Sequence, residues 1–158
     1  MVTIEKKTLK VGKLVDTAHV ETVIRNYKQE RWVHNSRRIG KEDSLSVWLS
    51  VGELEEFFAK VKDCGGDGIR FHFGVYSDDF KDNPLYAGRQ TLVLVGTKQK
   101  TTKQGPVNKN IYVNVEKGHS ILAYNFALPC PPHCSPVDID KGLGITIVDN
   151  GEDGMIIS

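Results

Sequence analysis

One stretch, residues 44–76, constrains the fold of this chain more than any other, because a helix with clear start and stop signals leads directly into a strand. Ser50 and Glu53 have the spacing of a capping box, in which each side chain hydrogen-bonds the main chain of the other residue. Gly65 and Gly66 supply the left-handed residue that commonly ends a helix. One apolar stripe recurs at helical spacing: Leu54, Phe57, Phe58 and Val61.

The residues after these glycines alternate with a period of two, which is typical of a strand with one buried face. Ile69, Phe71, Phe73 and Val75 form the apolar set, and Arg70, His72, Gly74 and Tyr76 form the other. The pattern predicts a half-buried strand whose apolar set faces the core.

A second helix is predicted near the N-terminus, beginning at Asp16 or Thr17 and running to about Arg31. Its apolar stripe consists of Val20, Val23, Ile24 and Tyr27. Residues 31–43 are polar and basic and contain a glycine, so we expect a loop there that leads into the central helix.

The rest of the chain predicts further strands. Residues 90–97 form a continuous apolar run, typical of a central strand, and residues 98–109 predict a mobile, lysine-rich connection of hairpin type to a strand at 110–115. Residues 143–148 and 155–157 predict a closing hairpin. We therefore expect a single α+β domain over residues 1–158, with two helices packed on a mainly antiparallel or mixed sheet of four to six strands, and residues 137–158 as a C-terminal hairpin extension.

Composition excludes several classes of protein. The chain has 158 residues, three cysteines and a formal net charge of +1, which gives no overall bias towards nucleic acid. No run approaches the roughly 18 apolar residues of a membrane helix. No apolar segment follows the basic residues at the N-terminus, so we expect no signal peptide and a cytoplasmic location.

The proline-rich stretch at residues 129–136 contains Cys130, His133 and Cys134, which are the strongest candidates for chemistry. Thiolates and imidazole are zinc ligands, but a structural zinc site takes four ligands and these residues supply three. Cys64, His72, His119 or His34 would have to complete the site. The same residues fit a disulfide, a reactive thiolate beside a histidine, or a proline-braced loop in which the cysteines only pack.

A second candidate site is the face of the predicted strand that carries Arg70, His72 and Tyr76. The three side chains share one face because their spacing is even. Arg70 is suited to hold an anion, and His72 or Tyr76 to supply a proton. The same spacing also fits a polar sheet face without a ligand.

From residue 48 to the proline-rich stretch, the chain resembles a small bacterial protein family to which no activity is attached. The resemblance is carried by Trp48-Leu49-Ser50 before the capped helix, Gly65-x-Asp67-Gly68-Ile69-Arg70-x-x-Phe73-Gly74-x-Tyr76, the strand Thr91–Thr97, and Cys130-Pro131-Pro132-x-Cys134. It covers more than half of the chain. It implies one domain of this type, and no mechanism, cofactor or catalytic residue.

These observations favour a non-enzymatic binding or interaction module that acts through the Arg70 face, the lysine-rich segment or the sheet edges. The alternative is a small metal- or thiol-dependent protein, or an enzyme, that uses Cys130, His133 and Cys134. A third and weaker alternative is nucleic-acid binding through the basic residues 31–41 and 98–109. The partner, the substrate and the oligomeric state do not follow from the sequence.

Overall fold

The computed structural model describes residues 9–133 and, near the end of the chain, the strand residues 147–149 and 155–157. This part of the chain forms one long helix, one shorter helix and antiparallel sheets of two to four strands. The predicted α+β class and the predicted antiparallel pairing are confirmed. None of the helices in the described part has the length and apolarity needed to cross a lipid bilayer.

The long helix begins at Asp16, whose carboxylate accepts a hydrogen bond of 2.9 Å from the main-chain amide of His19. It consists of α1 (Thr17–Tyr27), a π-helical turn (Lys28–Trp32) and α2 (Val33–Ile39). The residues that join these segments keep right-handed helical dihedrals, so the chain continues through them without a break.

The predicted loop at residues 31–43 is therefore wrong over its first part, because the helix continues to Ile39. No glycine or proline interrupts residues 17–39. The helix ends only where Gly40 adopts a left-handed conformation with φ of 70°. Arg37 and Arg38 in the last turn suit the negative end of the helix dipole.

The second helix, α3 (Val51–Asp63), forms as the sequence predicts. The Ser50 hydroxyl accepts a hydrogen bond of 3.1 Å from the amide of Glu53, and the Glu53 carboxylate accepts one of 3.1 Å from the amide of Ser50. At the other end, Gly65 has a φ of 78° and the amide of Gly66 donates to the carbonyl of Val61. Phe57 and Val61 from the predicted stripe are buried.

The largest sheet is centred on β3. Its strands are β2 (Gly68–Val75), β3 (Gln90–Thr102), β4 (Gly105–Asn110) and β7 (Ala123–Tyr124). β2 lies on one side of β3, and β4 and β7 lie on the other. The predicted mobile connection at residues 98–109 is wrong, because β3 continues to Thr102 and β4 pairs back along it as a hairpin.

Three smaller antiparallel pairs surround this sheet. They are β1 (Ser46–Trp48) with β8 (Leu128–Cys130), β5 (Tyr112–Val115) with β6 (Gly118–Ile121), and β9 (Ile147–Asp149) with β10 (Met155–Ile157). β10 lies beside α1. The other residues of the predicted closing hairpin, 143–146 and 150–154, lie outside the described residues.

The core forms where α3 packs on β3. Its buried side chains are Phe57, Val61, Leu94, Ile111 and Leu122. Two glycines permit this close approach: a Cβ atom at Gly66 would lie 2.5 Å from Cγ1 of Val61, and one at Gly96 would lie 2.9 Å from Cγ2 of Val61. The core is thus centred on the middle of β3 and does not extend over β2.

This placement corrects the predicted burial of β2. Phe71, Phe73 and Val75 are exposed to 52%, 82% and 69%, although their alternation predicts a buried face. Ile69 alone of that set packs partly against the core. The reason is the position of β2 at the side of the sheet, beyond the part of β3 that α3 covers.

Candidate functional site

The outer side of β2 has no partner strand among the described residues. The amide of Tyr76 donates to the carbonyl of Arg89 at 3.0 Å, so Tyr76 turns its main chain towards the neighbouring strand. Main-chain groups alternate in direction along an antiparallel ladder. The N–H and C=O groups of Phe71, Phe73 and Val75 therefore point away from β3.

This edge also lacks two of the residue types that often protect an exposed strand, although it carries the charged Arg70. Natural proteins cover such edges or place lysine and proline on them, since an open edge pairs readily with another chain. β2 contains neither residue type. Instead, its outward main-chain groups belong to the exposed apolar residues Phe71, Phe73 and Val75. An exposed apolar strip of this kind marks an interaction surface.

A groove runs between the long helix and β2, and we call it the helix–strand groove. It consists of two adjoining cavities of about 560 and 280 Å³ that share Tyr27, Phe73 and Gln90. The helix side is lined by Val23, Ile24, Tyr27, Arg31 and Asn35, and the sheet side by Phe73, Gly74, Val75, Gln90, Thr91 and Leu92, with residues 44–47 at one end. Apolar side chains thus lie beside a few polar groups, which is typical of a binding cleft.

The polar groups at the centre of the groove are held by a buried carboxylate. Tyr27 donates a hydrogen bond from its hydroxyl to Oε1 of Gln90. The amide of Gln90 donates at 2.7 Å to Oδ1 of Asp43, which is only 3% exposed. Burial, and then the negative charge of Asp43, raise the pKa of Tyr27. Tyr27 is therefore a neutral hydroxyl at physiological pH.

The π-helical turn contains two buried residues, Lys28 and Trp32. Lys28 is fully buried, and its Nζ lies 5.1 Å from the centroid of the Trp32 ring. The indole of Trp32 donates at 2.8 Å to the carbonyl of Asp43. The hydrogen bond from Trp32 holds the helix against the segment that follows it, on one side of the groove.

Beyond Val75 the groove continues into a third cavity of about 610 Å³, which we call the basic end. Arg38 and Lys41 line it on the helix side, and Asp78 and Gly88 line it on the loop side. The groove is therefore apolar beside α1 and positively charged beside the end of α2.

The structure separates the residues of the predicted Arg70 face. Arg70 and His72 are exposed on β2, where Arg70 donates at 3.4 Å to the carbonyl of Asn108. Tyr76 is only 8% exposed, and its hydroxyl donates at 3.2 Å to Asn125 and accepts at 3.3 Å from Thr91. Tyr76 is thus part of a buried network, and ligand binding by all three together stays a prediction.

Tyr76 also belongs to an aromatic cluster that connects the two predicted sites. Its ring centroid lies 4.7 Å from that of Phe80 and 5.6 Å from that of Tyr86. Tyr86 in turn makes an edge contact with His133 at 5.6 Å. Phe126 lies at the rim with a φ of 67°, a conformation that non-glycine residues rarely adopt. Tyr76 and His133 therefore approach the same cluster, but through packing contacts.

The cysteine loop is placed only in part. Cys130 is disulfide-bonded, Cys64 is a free and exposed thiol, and Cys134 lies outside the described residues. A disulfide sulfur is not a thiolate, so Cys130 supplies neither a zinc ligand nor a nucleophile in this form. No group of three histidine, cysteine or acidic residues suited to a metal forms among the described residues. Zinc binding by Cys130, His133 and Cys134 stays a prediction for the reduced protein.

The basic segments do not form a surface for stacking a base. Trp32, the aromatic residue of the first segment, is only 8% exposed and is held by Lys28 and Asp43. In the second segment, Lys98, Lys100 and Lys109 are exposed along the β3–β4 hairpin. Single-stranded nucleic acid is bound by exposed aromatic rings within basic grooves. Nucleic-acid binding therefore gains no support from the position of Trp32.

No protein-family profile, curated protein or solved structure matches this chain. The resemblance to a small bacterial family stays a prediction.

The sequence pattern does not predict the groove. It places Tyr27 and Phe73 on apolar faces directed at a core, and Gln90 at the start of a buried strand. The available signal was Gly40, which follows a run of residues compatible with a helix and marks the true helix end. A helix reaching residue 39 is long enough to pass beside the end of β2.

Proposed function

We propose that this protein is a non-enzymatic interaction module that binds an extended polypeptide segment by adding it as a strand to β2. The supporting observation is the open edge of β2, where Phe71, Phe73 and Val75 expose both their main-chain groups and their side chains. Strand addition uses main-chain hydrogen bonds for affinity and alternate side chains for selectivity.

The partner segment follows from this geometry. A strand added to β2 places every second side chain on the face that carries Phe71, Phe73 and Val75. Those side chains are expected to be apolar or aromatic, because they cover an apolar strip and reach the helix–strand groove. The segment therefore has apolar residues at alternate positions over about the eight residues of β2.

A peptide-display selection against the purified protein tests this proposal. Selected peptides are expected to carry alternating apolar residues and to slow the hydrogen exchange of the Phe71, Phe73 and Val75 amides. Phe73→Ala is expected to weaken binding about tenfold, or about 1.4 kcal/mol, as for a central interface residue. Phe73→Pro is expected to weaken it further, because it also removes the outward N–H group.

Tyr112→Ala is the matched control, since Tyr112 is 64% exposed on a different sheet. The proposal is wrong if no peptide is selected, or if the Phe73 variants bind the selected peptides as tightly as the wild type does. Self-association that protects the same amides without any peptide identifies a second copy of the chain as the occupant and also overturns the proposal.

Two other predictions from the sequence depend on the redox state of Cys130. A metal- or thiol-dependent activity at Cys130, His133 and Cys134 requires that Cys130 be reduced first. A cytoplasmic location also stays a prediction, and it conflicts with the disulfide, because cytosolic reductants normally keep thiols reduced. A reduced Cys130 in the cell would favour both of these expectations, and a disulfide there would oppose both.

A further inference from the structure

We propose that the basic end of the groove binds a carboxylate of the added segment, from an acidic side chain or from a free C-terminus. This inference rests on the proposed function, because the segment must first pair with β2. The carboxylate lies at the end of the segment beside Val75, and its position fixes the register of the segment on β2.

The charges around the basic end favour an anion. Arg38 and Lys41 line this cavity, and Arg31 lines the adjoining part of the groove. Within the described part of the chain, the side chains of Arg38 and Lys41 make no hydrogen bond or ion pair. An arginine and a lysine that converge on one cavity without an acceptor are suited to bind a carboxylate.

The basic end is also lined by one acidic residue, which lowers its net positive charge. Asp78 is the acidic residue that lines it, so two cationic groups face one carboxylate there. A singly charged carboxylate balances this set of charges. The charge of the cavity therefore fits a carboxylate.

The walls of the basic end are held in place before any ligand binds. Arg89 is buried and donates from Nε to the carbonyl of Leu85 at 2.8 Å and from Nη1 to the carbonyl of Glu42. Gly88 has a φ of 73°, and a Cβ atom there would lie 3.2 Å from Oδ1 of Asp78 and 3.6 Å from Cγ2 of Ile39, the last residue of α2. The loop thus lies close to the end of α2, and less ordering is needed on binding.

The basic end lies at the end of β2, so a carboxylate bound there fixes the register of the added segment. Val75 is the last residue of β2 and lines both the apolar part of the groove and the basic end. A segment whose apolar residues cover Phe71 and Phe73 therefore brings its next residues to Arg38 and Lys41. The carboxylate selects among registers that main-chain pairing alone leaves equivalent.

Synthetic peptides of the same length as β2, with apolar residues at alternate positions, test this inference by fluorescence anisotropy. The peptides are compared in three pairs. In the first pair the first residue is aspartate or asparagine, in the second pair the last residue is aspartate or asparagine, and in the third pair the C-terminus is free or amidated. We expect one acidic version to bind about three- to tenfold tighter than its neutral partner. The preference is expected to shrink between about 50 mM and 500 mM salt.

The double variant Arg38→Gln/Lys41→Gln is expected to lose this preference while binding the neutral peptide as the wild type does. The control variant Lys98→Gln/Lys100→Gln changes two exposed lysines on the β3–β4 hairpin and is expected to keep it. Equal binding of acidic and neutral peptides to the wild type, or a preference that survives in the Arg38/Lys41 variant, overturns this inference and leaves strand addition intact. If no peptide binds at all, both proposals are wrong.

Discussion

Glu53 shows how one residue serves two parts of the fold. Its carboxylate caps α3 at Ser50 and also accepts a hydrogen bond of 2.8 Å from the hydroxyl of Tyr124. The Ser50 amide, then Tyr124 and the Ser50 hydroxyl, lower the pKa of Glu53. A carboxylate with a lowered pKa stabilises the folded state above its unfolded pKa, and this contribution is lost as the pH falls through its folded pKa.

We therefore expect Tyr124→Phe to raise the pKa of Glu53 towards its ordinary value, because one donor to the charged form is removed. Protonation of Glu53 at acidic pH then lowers the free energy of unfolding by less than it does in the wild type. Titration of the Glu53 carboxyl carbon by NMR measures the pKa, and denaturant unfolding at several acidic pH values measures the stability. Tyr112→Phe serves as the control, and an unchanged Glu53 pKa in Tyr124→Phe contradicts the assignment.

Asp43 is a buried polar residue that connects the long helix to β3. Asp43 accepts hydrogen bonds from the amides of Ser44 and Gln90, and its own carbonyl accepts one from Trp32. A buried carboxylate is costly unless it is hydrogen-bonded. Its position at the junction of helix and sheet therefore fixes the wall against which Tyr27 and Gln90 meet.

At the scale of elements, β2 combines a well-paired inner side with an open outer side. Its eight residues pair with residues 90–97 of β3, so the strand is ordered on that side. Its outer side and its Phe71–Val75 strip are uncovered among the described residues. Because β2 is already ordered, this protein itself loses little conformational entropy when a segment pairs with the open edge.

Hydrogen exchange in the free protein measures this asymmetry directly. The amides of Phe71, Phe73 and Val75 are expected to exchange more than about tenfold faster than those of their inward-facing neighbours, because they lack a ladder partner. Equal protection of both sets in dilute solution would show that the edge is already occupied. A dependence of the protection on protein concentration then separates a second copy from another part of the same chain.

At the scale of the molecule, the described residues contain a hydrophobic core and, beside it, the groove that we propose as a binding surface. α3 and the middle of β3 form the core, and the long helix and β2 form the groove beside it. Substitutions in the core are expected to change stability, whereas substitutions along the groove change binding. Cys130, which is disulfide-bonded, lies in β8 and pairs with β1 at the end of the groove that residues 44–47 line.

Thiol labelling of the denatured protein tests the redox state of the whole chain. With thiols blocked at lysis, we expect one labelled cysteine per chain before reduction and three after it, since Cys64 is free and Cys130 is disulfide-bonded. Mass spectrometry counts the labels. Three labels before reduction would show that Cys130 is a thiol in the cell, and metal or thiol chemistry at the cysteine loop would then become the better hypothesis.

Local signals in the sequence determined the elements of this protein well. The capping box of Ser50 and Glu53 and the glycine stop gave α3 its bounds, because these interactions lie within a few residues of one another. The alternation after Gly68 gave β2, and the apolar run gave the centre of β3. The α+β class follows from the elements alone.

Only the tertiary structure decided which faces of those elements are covered. Phe57 and Phe73 both occupy apolar positions of a regular pattern, yet Phe57 is 5% exposed and Phe73 is 82% exposed. A pattern shows that a face is apolar, but burial depends on which element crosses over it, and that is set by contacts between residues distant in sequence. The sequence thus locates β2 correctly, but only the packing of α3 on the middle of β3 decides that the apolar face of β2 stays exposed.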